Sequence, residues 1–448
     1  MKTKQHYLRH CLCSLFFLMG TAAFADGIAI DSIYYELNLT EKTAEVRQAI
    51  IMSGDIVIPS TIDYNGENYQ VTSIDNNVFY LRRYLTSISI PNSVTHIGMA
   101  AFWGCESLTS VNIPTGVTTI EPGSFGNCKS LTSINIPDGV TSIKAAAFSG
   151  CSSLTSINIP DGMTSIGVYT FQNCSSLTSI TLPKNIRSIG DYAFDGCSSL
   201  ASVNLPDSMT TIGEYAFKKC FSLSDINIPD GVTSINEGAF YRCNNLTSLS
   251  IPASVTRIGN YAFDRCNSLE KIVVDTENTV YDSREHCDAI IVSATNELML
   301  GCKNTVIPES VTSIGHYAFY DCKDLTSFTI PSGVTIIKDN AFGSCTNLRH
   351  FYSHATAVPE MELDIFSKID LENATLHVPA SAIEDYRAAE QWKDFGTIVA
   401  LTDEDLSVNS YSLSPTFPSP VLFDLQGRRL NAVPARGLYV KDGRKYVK

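Results

Sequence analysis

The sequence predicts a solenoid of stacked coils, each built from short parallel strands and turns, and three spacings predict it. Prolines fall at Pro91, Pro114, Pro137, Pro160, Pro183, Pro206, Pro229 and Pro252, always 23 apart. Cysteines keep the same step from Cys105 through Cys128, Cys151, Cys174, Cys197, Cys220 and Cys243 to Cys266. So do phenylalanines, from Phe102 through Phe125, Phe148, Phe171, Phe194, Phe217 and Phe240 to Phe263. After an irregular stretch the register resumes with Phe319, Cys322, Pro331, Phe342 and Cys345. A fixed period of this length marks a repeat array in which no single unit can bury its own apolar face.

One unit, Leu131 to Cys151, shows how a coil is made. Leu131, Ile134 and Ile136 keep the L-x-x-L-x-L spacing of a leucine-rich repeat, and Ile134-Asn135-Ile136 alternates as a half-buried strand does. Pro137 has no amide hydrogen for a ladder and ends the strand; Asp138-Gly139 makes the turn. Val140 and Ile143 start a second inward edge, which Ala147, Phe148 and Cys151 complete through a short helical or 3₁₀ turn. Stacked, such coils share one core, with strands about 4.8 Å apart. The expected fold is therefore a leucine-rich-repeat solenoid with terminal caps and a small C-terminal β module.

The remaining segments follow in order. Residues 26–70 lack the period and form an N-terminal cap, with a strand-like Ile56-Val57-Ile58 before Pro59. Repeats occupy 71–352, interrupted by an insert at 275–305 in which Ala289 to Val292 and Glu297 to Leu300 pair as a hairpin. Residues 353–400 form a C-terminal cap, with a helix from Ser381 to Lys393 and Ser381 as its N-cap. A Ser- and Pro-containing linker spans 401–420, and a β tail spans 421–448.

Residues 1–25 read as an export signal. Lys2, Lys4 and Arg9 precede an apolar run from Leu12 to Phe24, and Ala23-Phe24-Ala25 supplies a cleavage pattern, so the mature chain is expected to begin at Asp26. No later stretch is apolar for the roughly 18 residues of a membrane span. The expected location is the cell surface or the extracellular space, with the periplasm as the alternative. A formal net charge of −14 argues against nucleic acid or an anionic membrane as partner.

The unit LTSINIPDGVTSI…AF..C resembles the BspA-like leucine-rich repeats of bacterial surface proteins, from about Val71 to Tyr352. The resemblance implies binding to host extracellular proteins or to other microbes. From Val421 the chain resembles the C-terminal sorting segment of Bacteroidetes secreted proteins: Asp424, Gly427 and Arg428 match its D-x-x-G-R core, and Gly437-Leu438-Tyr439 and Lys448 its closing strands.

Residues able to do chemistry compete here with packing roles. The cysteine column is expected to be a ladder of buried thiols, with one candidate disulfide, Cys287 to Cys302, flanking the hairpin. Cys345, His350 and His354 have tolerable metal spacing, but such pairs recur by chance, so no metal or cofactor is expected. No G-x-S-x-G, H-E-x-x-H, Walker loop or G-x-G-x-x-G after a strand is present, and no catalytic set is assigned. Asn112, Asn135, Asn158, Asn204 and Asn227 point outward from the strand row, either as a self-paired polar face or as a docking face suited to proteins or glycans.

The two residues between each Phe and Cys are expected to be exposed and free of core duty. Among them, Trp103 is a candidate for partner contact, and Lys218, Lys219, Tyr241, Arg242 and Arg265 would align with nearby Phe221 as a basic, aromatic ridge for an acidic partner. The function expected is a monomeric, non-enzymatic surface binding protein for adhesion to host matrix or other cells. The alternative is a structural spacer or glycan-binding scaffold.

Overall fold

The computed structural model describes residues 27–50, 53–403 and 405, and four short strands of the C-terminal tail. The expected export signal, most of the 401–420 linker, and the Asp424, Gly427 and Arg428 motif lie outside the described residues. The architecture is a β-solenoid of about 15 turns with little helix.

Each regular coil contributes two very short parallel strands. The front row takes the L-x-x-I segment: Ser133–Ile134 pairs with Ser156–Ile157, and Ser179–Thr181 with Ser202–Asn204. The rear row takes the T-S-I segment after the proline, from Ser165–Ile166 through Ser188–Ile189, Thr211–Ile212 and Ser234–Ile235 to Arg257–Ile258. Every pair is offset by one full coil, as in Ser165 opposite Ser188, so the sequence period fixes the register directly.

A third side of each coil consists of turns, where the sequence predicts a short helical or 3₁₀ turn. Two residues per coil explain why. The residue two before each Phe is left-handed, as in Ala146, Tyr169, Tyr192, Tyr215 and Tyr261, and so is the residue two after it, as in Asn127, Gly150, Asn173, Lys219, Arg242 and Arg265. A right-handed helix cannot continue through such positions. The turn side is nevertheless tied between coils, because the Phe amides from Phe79 to Phe240 each donate to a carbonyl of the next coil, for example Phe171 to Ala193 at 2.8 Å and Phe217 to Ala239 at 2.7 Å.

Inside, side chains of like kind stack in columns through the regular coils. Phe rings stack from Phe79 to Phe263 with centroids 5.1–5.8 Å apart, and the stack resumes at Phe319 and Phe342. The cysteine column is a ladder of free thiols, as expected. Nine of its members also have a specific partner: Cys197 donates to the Phe171 carbonyl of the preceding coil at 3.1 Å, and eight others repeat this at 3.0–3.3 Å. That carbonyl already accepts the amide of its own coil's cysteine, Cys174 for Phe171, so the thiol fills its second lone pair. Cys suits the position because it is small, apolar and still a weak donor.

The ends differ from the expectation in extent. Ser53–Val57, placed in the cap by sequence, already pairs in parallel with Tyr84–Ser89 as the first strand of the front row. The rest of the N-terminal region is a hairpin meander of Gly27–Ile30, Ile33–Asn38 and Thr43–Ala49, and the last of these pairs with Glu67–Ile74. At the other end stacking continues past residue 352. His350–Ser353, Thr375–Val378 and Thr397–Ala400 extend the front row, although their spacing is no longer 23.

The expected helix from Ser381 to Lys393 is a single short helix, Ile383–Ala388, flanked by 3₁₀ turns at Ala380–Ala382 and Trp392–Asp394. Ser381 is not its N-cap; Ala382 holds that place without a side-chain bond. The helix stops at Ala389, which is extended, because Gln391 (φ 63°) swings Trp392 back into the core against Tyr386 and Phe366. The tail forms a four-stranded antiparallel sheet of Leu422–Phe423, Arg429–Leu430, Leu438–Lys441 and Arg444–Val447. Among the described residues no helix is long and apolar enough to cross a membrane.

Candidate functional site

The sequence places its candidate ridge on the turn side, and the structure changes its character. These positions are not freely exposed. Lys218 is only 24% exposed at its side chain, with Nζ 5.2 and 5.5 Å from the ring centroids of Tyr215 and Tyr192 and 3.9 Å from Asp195. Arg265 lies between Tyr241 and Tyr320, 5.8 and 5.0 Å from their centroids, and donates to the Tyr320 hydroxyl. Lys218 and Arg265 therefore already have partners within the chain. Lys219, Arg242 and Arg265 also hold left-handed backbone, which costs a residue with a Cβ about 1 kcal/mol. Phe221 remains exposed. Trp103 is half-buried and lies over Gly126, where an added Cβ would meet the indole at 2.0 Å, so its ring covers the next coil.

The asparagines sit on the front strand row, a different side from the ridge. All five are exposed, but Asn112 and Asn158 each grip both backbone groups of the preceding coil, Ile90 and Ile136, at 2.7–2.9 Å. They extend, by one residue, ladders that already join those coils, Ser87–Ile88 with Ser110–Val111 and Ser133–Ile134 with Ser156–Ile157. Asn135 and Asn158 also border an open depression of about 870 Å³.

The Cys287–Cys302 bridge does not form; both thiols are free. Cys302 faces the Asp288 carbonyl at 3.4 Å within the N-terminal core, whereas Cys287 faces Ala289 within the C-terminal core. The hairpin between them points the two thiols into different cores.

That split is the main feature the sequence did not reveal. The rear sheet ending at Arg257–Ile258 is not continued by the next coil. A second sheet begins with Tyr281–Asp282, the hairpin Ala289–Val292 and Glu297–Gly301, and then Ser313–Ile314. The gap between these sheets is a cleft of about 630 Å³, inside the size range of small-ligand and side-chain pockets. Val280, Val292, Met299 and Leu300 line it, Tyr261 and Tyr317 face each other across it edge-to-face at 5.2 Å, and Glu297, His316 and Asp339 stand at its mouth. Asp264 is buried at one wall, where burial pushes its carboxyl up to about 7 against the pull of Arg265.

A tyrosine ladder leads toward this cleft and was also missed. Tyr169, Tyr192 and Tyr215 stack 5.1 Å apart, and Tyr215 donates to Glu237 at 2.6 Å. The signal was available, since Tyr recurs two places before Phe at 169, 192, 215, 261 and 317. Because these rings stack on one another, the ladder offers a partner edges and hydroxyls instead of open faces. Only at the break is the stacking replaced by the edge-to-face pair.

The repeat geometry and its Phe and Cys columns agree with a match to the model of BspA-type leucine-rich-repeat regions over residues 72–187, 164–287 and 297–389. The chain belongs to the BspA-type leucine-rich-repeat family. Among solved structures, this BspA-type protein is similar to a leucine-rich repeat protein from Bacteroides ovatus, with 28% identity over 84% of this chain and 100% of that one, at a TM-score of 0.58. A leucine rich cell surface protein from Faecalibacterium prausnitzii matches at 24% identity over 85% and 96% of the two chains, with a TM-score of 0.45. A T. pallidum leucine-rich repeat protein matches at 29% identity over 44% of this chain and 91% of that one, with a TM-score of 0.40. No curated protein sequence matches the chain. Proteins of this repeat class are generally protein-binding or surface scaffolds, and the fold is typically non-catalytic.

Proposed function

We propose that this is an exported, surface-exposed binding protein that attaches to an extracellular host protein or to a protein on another bacterial surface, and that the cleft at the repeat break is its anchoring point. The observation that carries this reading is the contrast between regular coils and break. Along the regular coils, Lys218 rests against tyrosine rings, Tyr215 bonds Glu237, and Asn112 and Asn158 bond the backbone of the preceding coil. At the break, apolar surface from Val292, Met299 and Leu300 meets two unstacked tyrosines in a concave site, the arrangement that concentrates binding energy in interfaces. The apolar floor and the carboxylates at the mouth suit a partner segment that brings an aliphatic or aromatic anchor beside a basic side chain.

The test is saturable binding of the mature protein to a panel of host matrix and bacterial surface proteins, repeated with Tyr261→Ala and Met299→Lys. Loss of at least tenfold in affinity for both variants supports the cleft. Binding unchanged by both, but abolished by charge reversal at Lys218, Arg242 and Arg265, moves the site to the ridge. Only weak, salt-sensitive adsorption across the panel favours the spacer reading, for which the self-satisfied front face of the regular coils speaks.

A further inference from the structure

Three residues fall at one position of three successive coils beside this cleft: His316, Asp339 and Glu362, each one repeat step after the last. The solenoid register stacks them. The imidazole Nδ1 of His316 lies 3.6 Å from a Glu362 oxygen and 3.8 Å from Asp339 Oδ2, and the three donor atoms all lie within 4.8 Å of one another.

These separations are too long for charge-assisted hydrogen bonds, which close to about 2.7–2.9 Å. They suit donors arranged around a shared ion: ligands each about 2.1 Å from one metal stand no more than roughly 4.2 Å apart. The two distances to His316 already meet that limit, and the site as a whole needs only a small side-chain closure.

Both carboxylates are held in place by backbone amides. Asp339 Oδ1 accepts the Leu363 amide at 2.8 Å, which leaves Oδ2 turned to the imidazole. Glu362 Oε2, the oxygen nearest the imidazole, accepts the Asp339 amide at 3.1 Å and keeps a second lone pair for an ion. The ion-pair partner described for each carboxylate is His316 itself. Hydrogen-bonded ligands of this kind are the outer support that metal sites require. His316 and Asp339 line both the repeat-break cleft and a second depression of about 820 Å³ over Trp392, so the open side of the cluster faces solvent-filled space on either flank.

We propose that His316, Asp339 and Glu362 form a divalent transition-metal site of the zinc type, with three protein ligands and an open position. The imidazole nitrogen selects such an ion over calcium or magnesium, which prefer all-oxygen sets. Because each ligand comes from a different coil, the ion clamps three coils together. Its open position lies at the mouth of the cleft, where a water or a partner's carboxylate can complete the coordination. The site goes beyond the binding role proposed above and does not depend on it.

The test is titration of the mature protein with Zn²⁺ against a chromophoric chelator, together with amide exchange. The expected result is one ion per chain at micromolar affinity or tighter, with slower exchange of Ser313–Ile314, Ile336–Ile337 and Glu360–Met361 on loading. His316→Ala and Asp339→Asn should each weaken binding at least tenfold, while His350→Ala leaves it unchanged and millimolar Ca²⁺ does not compete. His316 is half exposed, so its variant is expected to fold, with circular dichroism as the check. Absence of Zn²⁺ binding, or equal binding by the folded His316→Ala protein, overturns the proposal. Either result leaves the panel-binding experiment untouched.

Discussion

Replacing Cys197 by Ala removes one rung of the thiol ladder at a site where the sulfur has two separable roles. Cys197 is fully buried, and its thiol donates to the Phe171 carbonyl at 3.1 Å. Loss of the buried sulfur forfeits about 1 kcal/mol of apolar transfer, and the void it leaves adds about 0.5 kcal/mol. The missing weak donor contributes about another 0.5 kcal/mol. The expected cost is therefore about 2 kcal/mol, felt by the coils on either side because solenoid coils couple to their neighbours.

Cys197→Ser tests the donor separately. The hydroxyl hydrogen is retained, but the shorter C–O bond draws it back from the carbonyl and places a poorly satisfied polar group in an apolar column. Serine is thus expected to cost at least as much as alanine. Urea unfolding gives the total, and amide exchange at Phe171 and Cys174 locates it. A change no larger than that of an ordinary surface substitution, about 0.5 kcal/mol, in both variants would refute the reasoning that the thiol column is energetically engaged.

Four further outcomes are expected. Burial raises the thiols of Cys105, Cys151 and Cys345 to about 12, so a maleimide should label none of the buried column cysteines in native buffer and all of them in urea; mass spectrometry reads the count. Asp264 is protonated more readily in the folded state than in the unfolded one. Its stabilising contribution is thus complete below pH 3.8 and lost as pH rises through about 7. Asp264→Asn should therefore gain stability at pH 8 relative to the parent, up to about 4 kcal/mol, and little at pH 4, as urea melts at the two pH values will show. Lys219→Gly relieves left-handed backbone and should raise stability by about 0.5–1 kcal/mol, whereas Gly238→Ala, whose Cβ would meet the Tyr215 ring at 2.2 Å, should lower it by at least about 1 kcal/mol; urea melts read both.

Much of this was legible in the residues because a solenoid converts sequence period into spatial register without long-range folding decisions. The regular step of Phe, Cys and Pro specified the columns, the parallel pairing and the buried thiols. What escaped lies where local rules compete. The pairs between Phe and Cys looked free because their identities vary, yet the second member must be left-handed, which explains Asn127, Gly150 and Asn173 and makes Lys219 and Arg242 exceptions. The hairpin at 289–301 was readable, but not that it would part the rear sheet and open a cleft, because that depends on how two sheets terminate against each other. Cys287 and Cys302 flank one hairpin in sequence, yet their thiols enter different cores. The His316, Asp339 and Glu362 column obeys the same repeat step, but only two of its members fall inside the stretch where the pattern was followed.

The central claim is that coils are interchangeable rungs in one register, and removal of a single rung tests it. Deletion of Leu177 to Ser199 takes out one whole period and rejoins Ser176 to Leu200. Native thiol protection of the shortened protein should match the parent, one cysteine fewer, whereas deletion of Leu177 to Ser188 alone should expose the thiols around the cut. Equal protection in both deletions, or labelling throughout the whole-coil deletion, would contradict a register-locked stack.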